Sequence, residues 1–214
     1  MDRRRQRTSE LVSAAMTYAA NFQPSRATIK PYFDALVPAY RTYCTTVSVR
    51  SMALAIETCA YVSWLCDATK PANVCDLGSG FSSYVLRRYA DQADHPVNVV
   101  SVDDDDGWLD KTAAFCDQNV GTLGEFLSGV EWLKLDGFDV VVHDYAAGPL
   151  REEYADLAAT RLSGTGAVVF DDAQNPGHHH RFAEVCERHG LTLLDIYHQT
   201  VDEIGRYAAI GVGL

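Results

Sequence analysis

The feature of this sequence that most constrains its fold is the alternation of short apolar runs with helical segments after Asn73. Continuous apolar runs of this length predict strands that are covered on both faces of a sheet. The predicted strands are Val74 to Leu77, Val97 to Val102, Asp139 to His143 and Ala167 to Phe170. The predicted helices are 80–90, 107–118, 150–162 and 178–189. Strands that alternate with helices predict a doubly wound α/β fold with a mostly parallel sheet.

The two ends of the chain differ from this central pattern. Residues 8–70 predict helices with one apolar stripe at 11–19 and another at 52–64, and Pro24 and Pro31 are expected to interrupt them. We expect residues 1–70 to form a helical N-terminal cap on a unit of residues 71–214. Near the other end, Leu191–Tyr197 and Arg206–Val212 predict two strands. The loop between them is too short for a crossover helix, so these strands should be antiparallel. A third strand is not located between Gly121 and Gly137.

Charge and composition exclude several classes of function. The formal net charge of −11 would repel a nucleic-acid backbone, so a nucleic-acid partner is disfavoured. The sequence holds no apolar run of about 18 residues and no secretory signal, which predicts no membrane span and a cytoplasmic location. Its six cysteines form no CxxC pairs. They are therefore expected to be free thiols, with neither a zinc site nor a disulfide framework.

The first strand runs through a glycine turn into a helix, where residues 74–83 read VCDLGSGFSS. Glycines allow a ligand to approach the backbone closely, and a helix N-terminus offers unpaired N–H groups. Ser83 stands where a dinucleotide-binding GxGxxG motif has its third glycine, which disfavours a pyrophosphate-binding enzyme. A tight turn without a ligand is left open.

The second strand ends in a run of acids, Asp103 to Asp106. Asp103 lies 23 positions after Gly80, where an acid at the end of the second strand can accept the hydroxyl groups of a ribose. Asp105 or Asp106 is expected to cap the next helix. A solvated charged loop is the alternative for the whole run. Trp108 is expected in the core, with a position beside an adenine as the other option.

Carboxylates also follow the two later strands, with Asp144 after the strand at 139–143 and Asp171 and Asp172 after the strand at 167–170. The carboxyl ends of parallel strands meet at one edge of a sheet, so we expect these side chains to converge. Such a group could hold a hard cation that grips substrate oxygens. The side chain of His143 should point away from that of Asp144. His178, His179 and His180 could supply a base or ligands, but a solvated helix start is favoured.

The segment Asp76-Leu-Gly-Ser-Gly resembles motif I of class I methyltransferases that depend on S-adenosylmethionine (SAM). The resemblance implies a Rossmann-like sheet with SAM at the carboxyl ends of its strands. It also implies that Asp76 orients the amino group of SAM and that Asp103 binds the ribose. The implied cofactor-binding residues are Asp76, Gly78, Ser79, Gly80, Ser82, Ser83, Asp103, Asp104 and Asp144.

Residues 46–190 are similar to the catechol O-methyltransferase family. The resemblance implies that Asp144, Asp171 and Asp172 are catalytic residues and magnesium ligands, with Asp172 in place of the family's Asn. The residues at 173–177, AQNPG, are also similar to the family's loop. The family's Lys base is replaced by Ala147, so the base and the need for magnesium are left open. Enzymes that methylate the amines of nucleic-acid bases carry a Pro-Pro-aromatic pattern, which is absent after His143. A base amine is therefore disfavoured as the acceptor.

These observations predict methyl transfer from SAM to a small-molecule acceptor, with oxygen favoured as the accepting atom and magnesium as an optional aid. Two alternatives remain open: an aminopropyl transferase on the same fold, and a non-catalytic binding module with a SAM-type fold. We expect the cap to form the acceptor pocket, with Tyr40, Tyr43 and Arg50 as candidate contacts. Homo-oligomer formation is also left open.

Overall fold

A computed structural model describes residues 20–121, 123–145 and 149–213. The helical stripe predicted at 11–19 lies outside these ranges. The helices are α1 (Arg26–Thr46), α2 (Ile56–Thr69), α3 (Phe81–Gln92), α4 (Asp106–Val120), α5 (Gly129–Trp132), α6 (Pro149–Thr160), α7 (Pro176–Arg188) and α8 (Tyr197–Thr200). The strands are β1 (Asn73–Leu77), β2 (Asn98–Asp103), β3 (Glu125–Ser128), β4 (Phe138–His143), β5 (Leu162–Phe170), β6 (Leu191–Asp195) and β7 (Ala209–Gly213).

The described strands form one sheet in the order β3-β2-β1-β4-β5-β7-β6. Neighbouring strands from β3 to β5 are parallel, and β7 runs antiparallel to both β5 and β6. The predicted doubly wound α/β fold with an antiparallel C-terminal strand is thereby confirmed. The strand order changes direction between β1 and β4, and open α/β sheets bind ligands in the crevice at such a point.

Both faces of the sheet are covered, which explains why its central strands are continuous apolar runs. On one face, Val74 and Val140 pack in a core that also contains Leu36 of α1 and Leu65 of α2. On the other face, the core includes residues of β1, β2, β4 and β5 together with residues of α6 and α7. The described cap helices therefore share a core with the sheet. The division into units of 1–70 and 71–214 stays a prediction.

Helix α1 corrects the prediction that Pro31 interrupts the N-terminal helices, because Pro31 and Pro38 both lie inside it. The helix begins after Pro24, where the hydroxyl of Ser25 accepts a hydrogen bond from the amide of Thr28. Each internal proline removes one helical hydrogen bond. Burial of the apolar face that includes Leu36 and Tyr43 offsets this loss, because tertiary packing supplies most of a helix's stability.

The connection between β6 and β7 also differs from the prediction. Strand β6 ends at Asp195 and β7 begins only at Ala209, so the helix α8 and a turn at Asp202 fit between them. The carboxylate of Asp202 stabilises this turn by accepting hydrogen bonds from the amides of Ile204 and Arg206. The predicted antiparallel relation of the two strands is nevertheless correct.

Three further expectations concern the third strand, the cysteines and a membrane span. Strand β3 occupies Glu125–Ser128, inside the stretch where no strand could be placed from the sequence. All six cysteines are free, and five of them are buried. Among the described residues, no helix has both the length and the apolar character needed to cross a bilayer.

Candidate functional site

The glycine turn after β1 is fixed by contact with the end of β4. Gly78 has a φ of +92°, and a Cβ on it would lie 2.4 Å from the carbonyl oxygen of Asp144. Because of this close contact and the positive φ, the backbone of the protein itself requires glycine at this position, whether or not a ligand is bound. Gly80 has extended backbone, and its Cβ would meet the hydroxyl of Tyr43 at an ordinary 3.7 Å.

Beneath the turn, Asp76 is completely buried and does not line the cavity. Its carboxylate accepts hydrogen bonds from the hydroxyls of Ser82 (3.1 Å), Ser83 (2.7 Å) and Ser101. Burial raises the pKa of Asp76, and the guanidinium of Arg87 opposes that increase. These side chains are engaged with each other and hold the turn in place, and the predicted contacts of Asp76 and Ser83 with a cofactor stay predictions.

Asp103, at the end of β2, faces the cavity and organises the turn from the other side. Its carboxylate accepts hydrogen bonds from the amide (2.8 Å) and hydroxyl (3.2 Å) of Ser79 and from the amide of Asp105 (3.1 Å). Burial is the main cause that raises the pKa of Asp103. Asp104, which was predicted to bind the cofactor, is exposed and does not line the cavity.

Helix α4 adds an aromatic wall beside Asp103. Asp105 caps the helix by accepting a hydrogen bond from the amide of Trp108 (2.9 Å), as expected for one of these acids. The indole of Trp108 is half-buried, lines the cavity and donates to the carbonyl of Ser79 at 2.5 Å. The expectation that Trp108 lies in the core is therefore wrong, because the Ser79 carbonyl draws its polar edge to the surface of the cleft.

The glycine turn, Asp103 and Trp108 line a cavity of about 470 Å³, which continues towards the cap. Tyr43, residues 51–54 and Arg206 form the wall on that side. Arg206 holds the 51–54 segment by donating to the carbonyls of Ser51 and Ala53, and it pairs with Asp202 at 2.9 Å. Sequence reasoning missed this arginine, since nothing local to it signals a site.

The three predicted acceptor contacts on the cap have different positions. Tyr43 is buried at the cavity wall, and its hydroxyl has no hydrogen-bond partner among the described residues. Tyr40 is buried in the core, where its ring packs edge-on against that of Phe81. Arg50 is paired at the surface with Glu203 at 2.6 Å. Tyr43 is therefore the cap candidate that can touch a ligand in this cavity.

Asp144, Asp171 and Asp172 also line the cavity, and they converge as predicted. One carboxylate oxygen from each lies within 4.8 Å of the others. Burial raises the pKa of Asp144 to about 6, although Arg151 opposes that rise. Burial and then the charges of the other two acids raise the pKa of Asp171 well above its usual range. Asp171 is 4% exposed, and its Oδ1 has no hydrogen-bond partner among the residues that the structure describes.

Arg151, near the start of α6, provides a cation that the sequence interpretation missed. Its guanidinium bridges two carboxylates, donating from Nη1 to Asp172 at 2.7 Å and from Nη2 to Asp144. The Nε2 of His143 lies 2.9 Å from the carbonyl of Arg151 and donates to it. Burial lowers the pKa of His143 to about 3, so this imidazole is neutral. His143 points away from Asp144, as expected, and supports Arg151.

The residue types of the cluster suit magnesium, and the unpartnered oxygen of Asp171 could accept a ligand. Arg151, however, already engages Asp144 and Asp172. The arrangement of these side chains therefore does not fit an additional divalent cation. Ala147, at the position of the family's Lys, lies outside the described residues.

The remaining candidates, His178, His179 and His180, lie in the first turn of α7. None of these three described residues lines the cavity. His180 lies 3.4 Å from Glu184 on the exposed face of the helix. His180 is exposed, whereas His178 and His179 are half-buried, so the interpretation of a solvated helix start stays a prediction.

Comparison with known proteins gives structural matches without sequence matches. No protein-family model and no curated protein matches the chain. The O-methyltransferase TomG from Streptomyces achromogenes, in complex with SAM, is 18% identical, with a TM-score of 0.59 over 85% of this chain and 89% of that one. An O-methyltransferase from Bacillus cereus, in complex with S-adenosylhomocysteine (SAH), is 16% identical, with a TM-score of 0.61 over 88% and 92%.

A methyltransferase from Geobacter sulfurreducens is 16% identical and gives a TM-score of 0.58 over 88% of this chain and 97% of that one. Nearly the whole length of each of these proteins is matched. At such low identity the likeness concerns the fold. The chain thus has the Rossmann-like fold of these methyltransferases.

Proposed function

We propose that this chain is a SAM-dependent methyltransferase that methylates an oxygen atom of a small-molecule acceptor. The observation that carries the proposal is one cavity that is lined both by the glycine turn with Asp103 and by the acids Asp144, Asp171 and Asp172. Two proteins of the same fold have SAM or SAH bound, which supports the choice of cofactor.

The end of the cavity near β1 and β2 would hold the cofactor. The backbone of Gly78 to Gly80 offers a surface without side-chain bulk, and Asp103 is placed to accept hydroxyl groups of the ribose. The exposed face of Trp108 suits a flat ring such as adenine. When bound, SAM supplies an activated methyl group on its sulfonium.

The acceptor would lie between the acidic cluster and the wall formed by Tyr43, residues 51–54 and Arg206. We assign to Asp171 the role of taking the proton of an acceptor hydroxyl, because this residue lines the cavity and its buried Oδ1 has no hydrogen-bond partner among the described residues. The enzyme would otherwise act by orienting the hydroxyl towards the methyl group.

The charge of the cluster restricts the acceptor. Three carboxylates face the guanidinium of Arg151, while Arg206 is paired with Asp202. An anionic acceptor would be repelled by the excess negative charge. We expect a neutral hydroxyl compound, such as a phenol or a catechol, and a cationic one is also compatible.

The acidic cluster also favours a second function, aminopropyl transfer, in which carboxylates would hold a polyamine. Binding of SAM itself would count against this alternative. A non-catalytic module that binds SAM is the third hypothesis, and turnover with any acceptor would exclude it. A cytoplasmic location and a homo-oligomer stay predictions, whereas assistance by magnesium is disfavoured because Arg151 pairs with two of the three acids.

Calorimetry with SAH tests the proposal first, and a methyl-transfer screen of phenols, catechols and hydroxy acids follows, each with and without magnesium. We expect SAH to bind, phenols or catechols to be methylated and hydroxy acids to be poor acceptors because of their charge. Absence of SAH binding by the folded protein would reject the proposal.

Replacing Asp103 by alanine is expected to weaken SAH binding by roughly ten- to a hundredfold, because a hydrogen bond to a charged group is lost. Loss of the contacts from Asp103 to Ser79 would add to the effect. Calorimetry measures the change. Asp104→Ala is the matched control, since Asp104 is adjacent but exposed and outside the cavity lining. Equal affinities of the two variants would remove Asp103 from the cofactor site.

A further inference from the structure

We infer that Arg151 is the resident cation of the acidic cluster and takes the place that a divalent cation would have among these carboxylates. Capacity to bind a divalent cation would then be latent in the chain and appear when Arg151 is replaced. This inference concerns the charge balance of Asp144, Asp171 and Asp172, and it stands whether or not the chain transfers methyl groups.

The first support is the geometry of the guanidinium. Two of its nitrogens donate to different carboxylates, Asp144 and Asp172, which belong to the loops after different strands. The fork of an arginine suits such two-point contact, and the side chain of Arg151 is only 7% exposed. A divalent cation would need oxygens of the same two acids.

The second support is the way in which the chain holds Arg151. Fully buried His143 donates to the backbone carbonyl of Arg151, and its neutral imidazole packs edge-on against the stacked rings of Phe170 and Phe182. The arginine is thus attached at its backbone as well as at its guanidinium. A cation that is part of the chain is always present, whereas a free ion must displace it from both carboxylates.

The third support is the state of Asp171. The guanidinium of Arg151 donates to Asp144 and Asp172 and interacts with Asp171 through charge. One carboxylate oxygen of the cluster, the buried Oδ1 of Asp171, has no hydrogen-bond partner among the described residues. Arginine thus balances the charge of the cluster without engaging this oxygen.

The experiment titrates the wild-type protein and Arg151→Met with Mn²⁺ by calorimetry, and follows the melting temperature of both with Mg²⁺. We expect no saturable binding and no shift in the wild-type protein. Arg151→Met should bind Mn²⁺ at least ~10-fold more tightly, because one positive charge near three acids is removed. Its melting temperature should rise with Mg²⁺ concentration by mass action.

Two further variants make the result specific. Arg50→Met removes an arginine whose ion pair lies at the surface, so it should behave like the wild-type protein. Adding Asp171→Asn to Arg151→Met should abolish the gained binding, because the cluster then loses one ligand.

Saturable Mn²⁺ binding by the wild-type protein would overturn the inference, and that measurement needs no variant to fold. A folded Arg151→Met protein that binds Mn²⁺ no better than the wild-type protein would overturn it as well. If Arg151→Met does not fold, Arg151→Lys replaces it, since lysine retains the charge but not the two-point contact. We expect Arg151→Lys to bind Mn²⁺ more tightly than the wild-type protein does, and unchanged binding would contradict the inference. SAH binding by the wild-type protein, measured separately, decides the proposed function.

Discussion

Gly78→Ala is expected to destabilise the fold and to abolish SAH binding. The new Cβ would lie 2.4 Å from the backbone oxygen of Asp144, and the φ of +92° is unfavourable for alanine. Backbone strain and overpacking each cost about 1 to 3 kcal/mol, so the free energy of unfolding should fall by roughly 2 to 6 kcal/mol. The ends of β1 and β4 would have to separate, which would open the cofactor half of the cavity.

Urea denaturation measures the loss of stability, and calorimetry with SAH measures the loss of binding. Gly80→Ala is the matched control: its backbone is extended, and the nearest atom to its Cβ is 3.7 Å away. This variant should keep the stability of the wild-type protein. If Gly78→Ala had the same urea midpoint and SAH affinity as Gly80→Ala, the turn would not have the role that its geometry assigns.

Asp171→Asn is expected to lower kcat by about 10²- to 10⁴-fold, the range that a general base contributes. Asparagine has nearly the same shape as aspartate but cannot take the proton of the acceptor. The affinity for SAH should change little, because the proposed cofactor contacts are with the glycine turn and Asp103 and not with Asp171. Steady-state kinetics with the acceptor found in the screen gives kcat and KM separately.

Asp104→Asn is the control for Asp171→Asn, since it removes one carboxylate that is exposed and outside the cavity lining. Its kcat should equal that of the wild-type protein. Were Asp171→Asn to raise KM with an unchanged kcat, Asp171 would orient the acceptor and the base would be another group.

The strands that could be predicted from the sequence are those buried on both faces. Residues of β1, β2, β4 and β5 alternate between the two cores of the sheet, so burial requires apolar residues almost without interruption. Strand β3 differs because it lies at the edge of the sheet, with Glu125 exposed and its other residues half-buried. A short strand with few buried residues leaves little pattern in a sequence.

The site could be predicted where its residues follow directly from strand ends. Gly78, Asp103 and the three acids at 144, 171 and 172 were found in this way. Arg151 lies in α6 and Arg206 in the loop before β7, so neither directly follows a strand end of the parallel sheet, and only folding brings their side chains to the cavity. The inward position of Asp76 depends on its contacts with Ser83 and Ser101, which the order of residues does not reveal.

The position of β7 has a consequence for the order in which the sheet can form. Strand β6 has β7 as its sheet neighbour, and β7 also covers the edge of β5, yet both of its neighbours precede it in the chain. While the chain is synthesised, β6 and the edge of β5 must wait for residues 209–213. Such an unpaired edge can join to another chain, and late pairing over long sequence distances slows folding. The interval before β7 is added is therefore when a nascent chain of this protein would depend most on a chaperone.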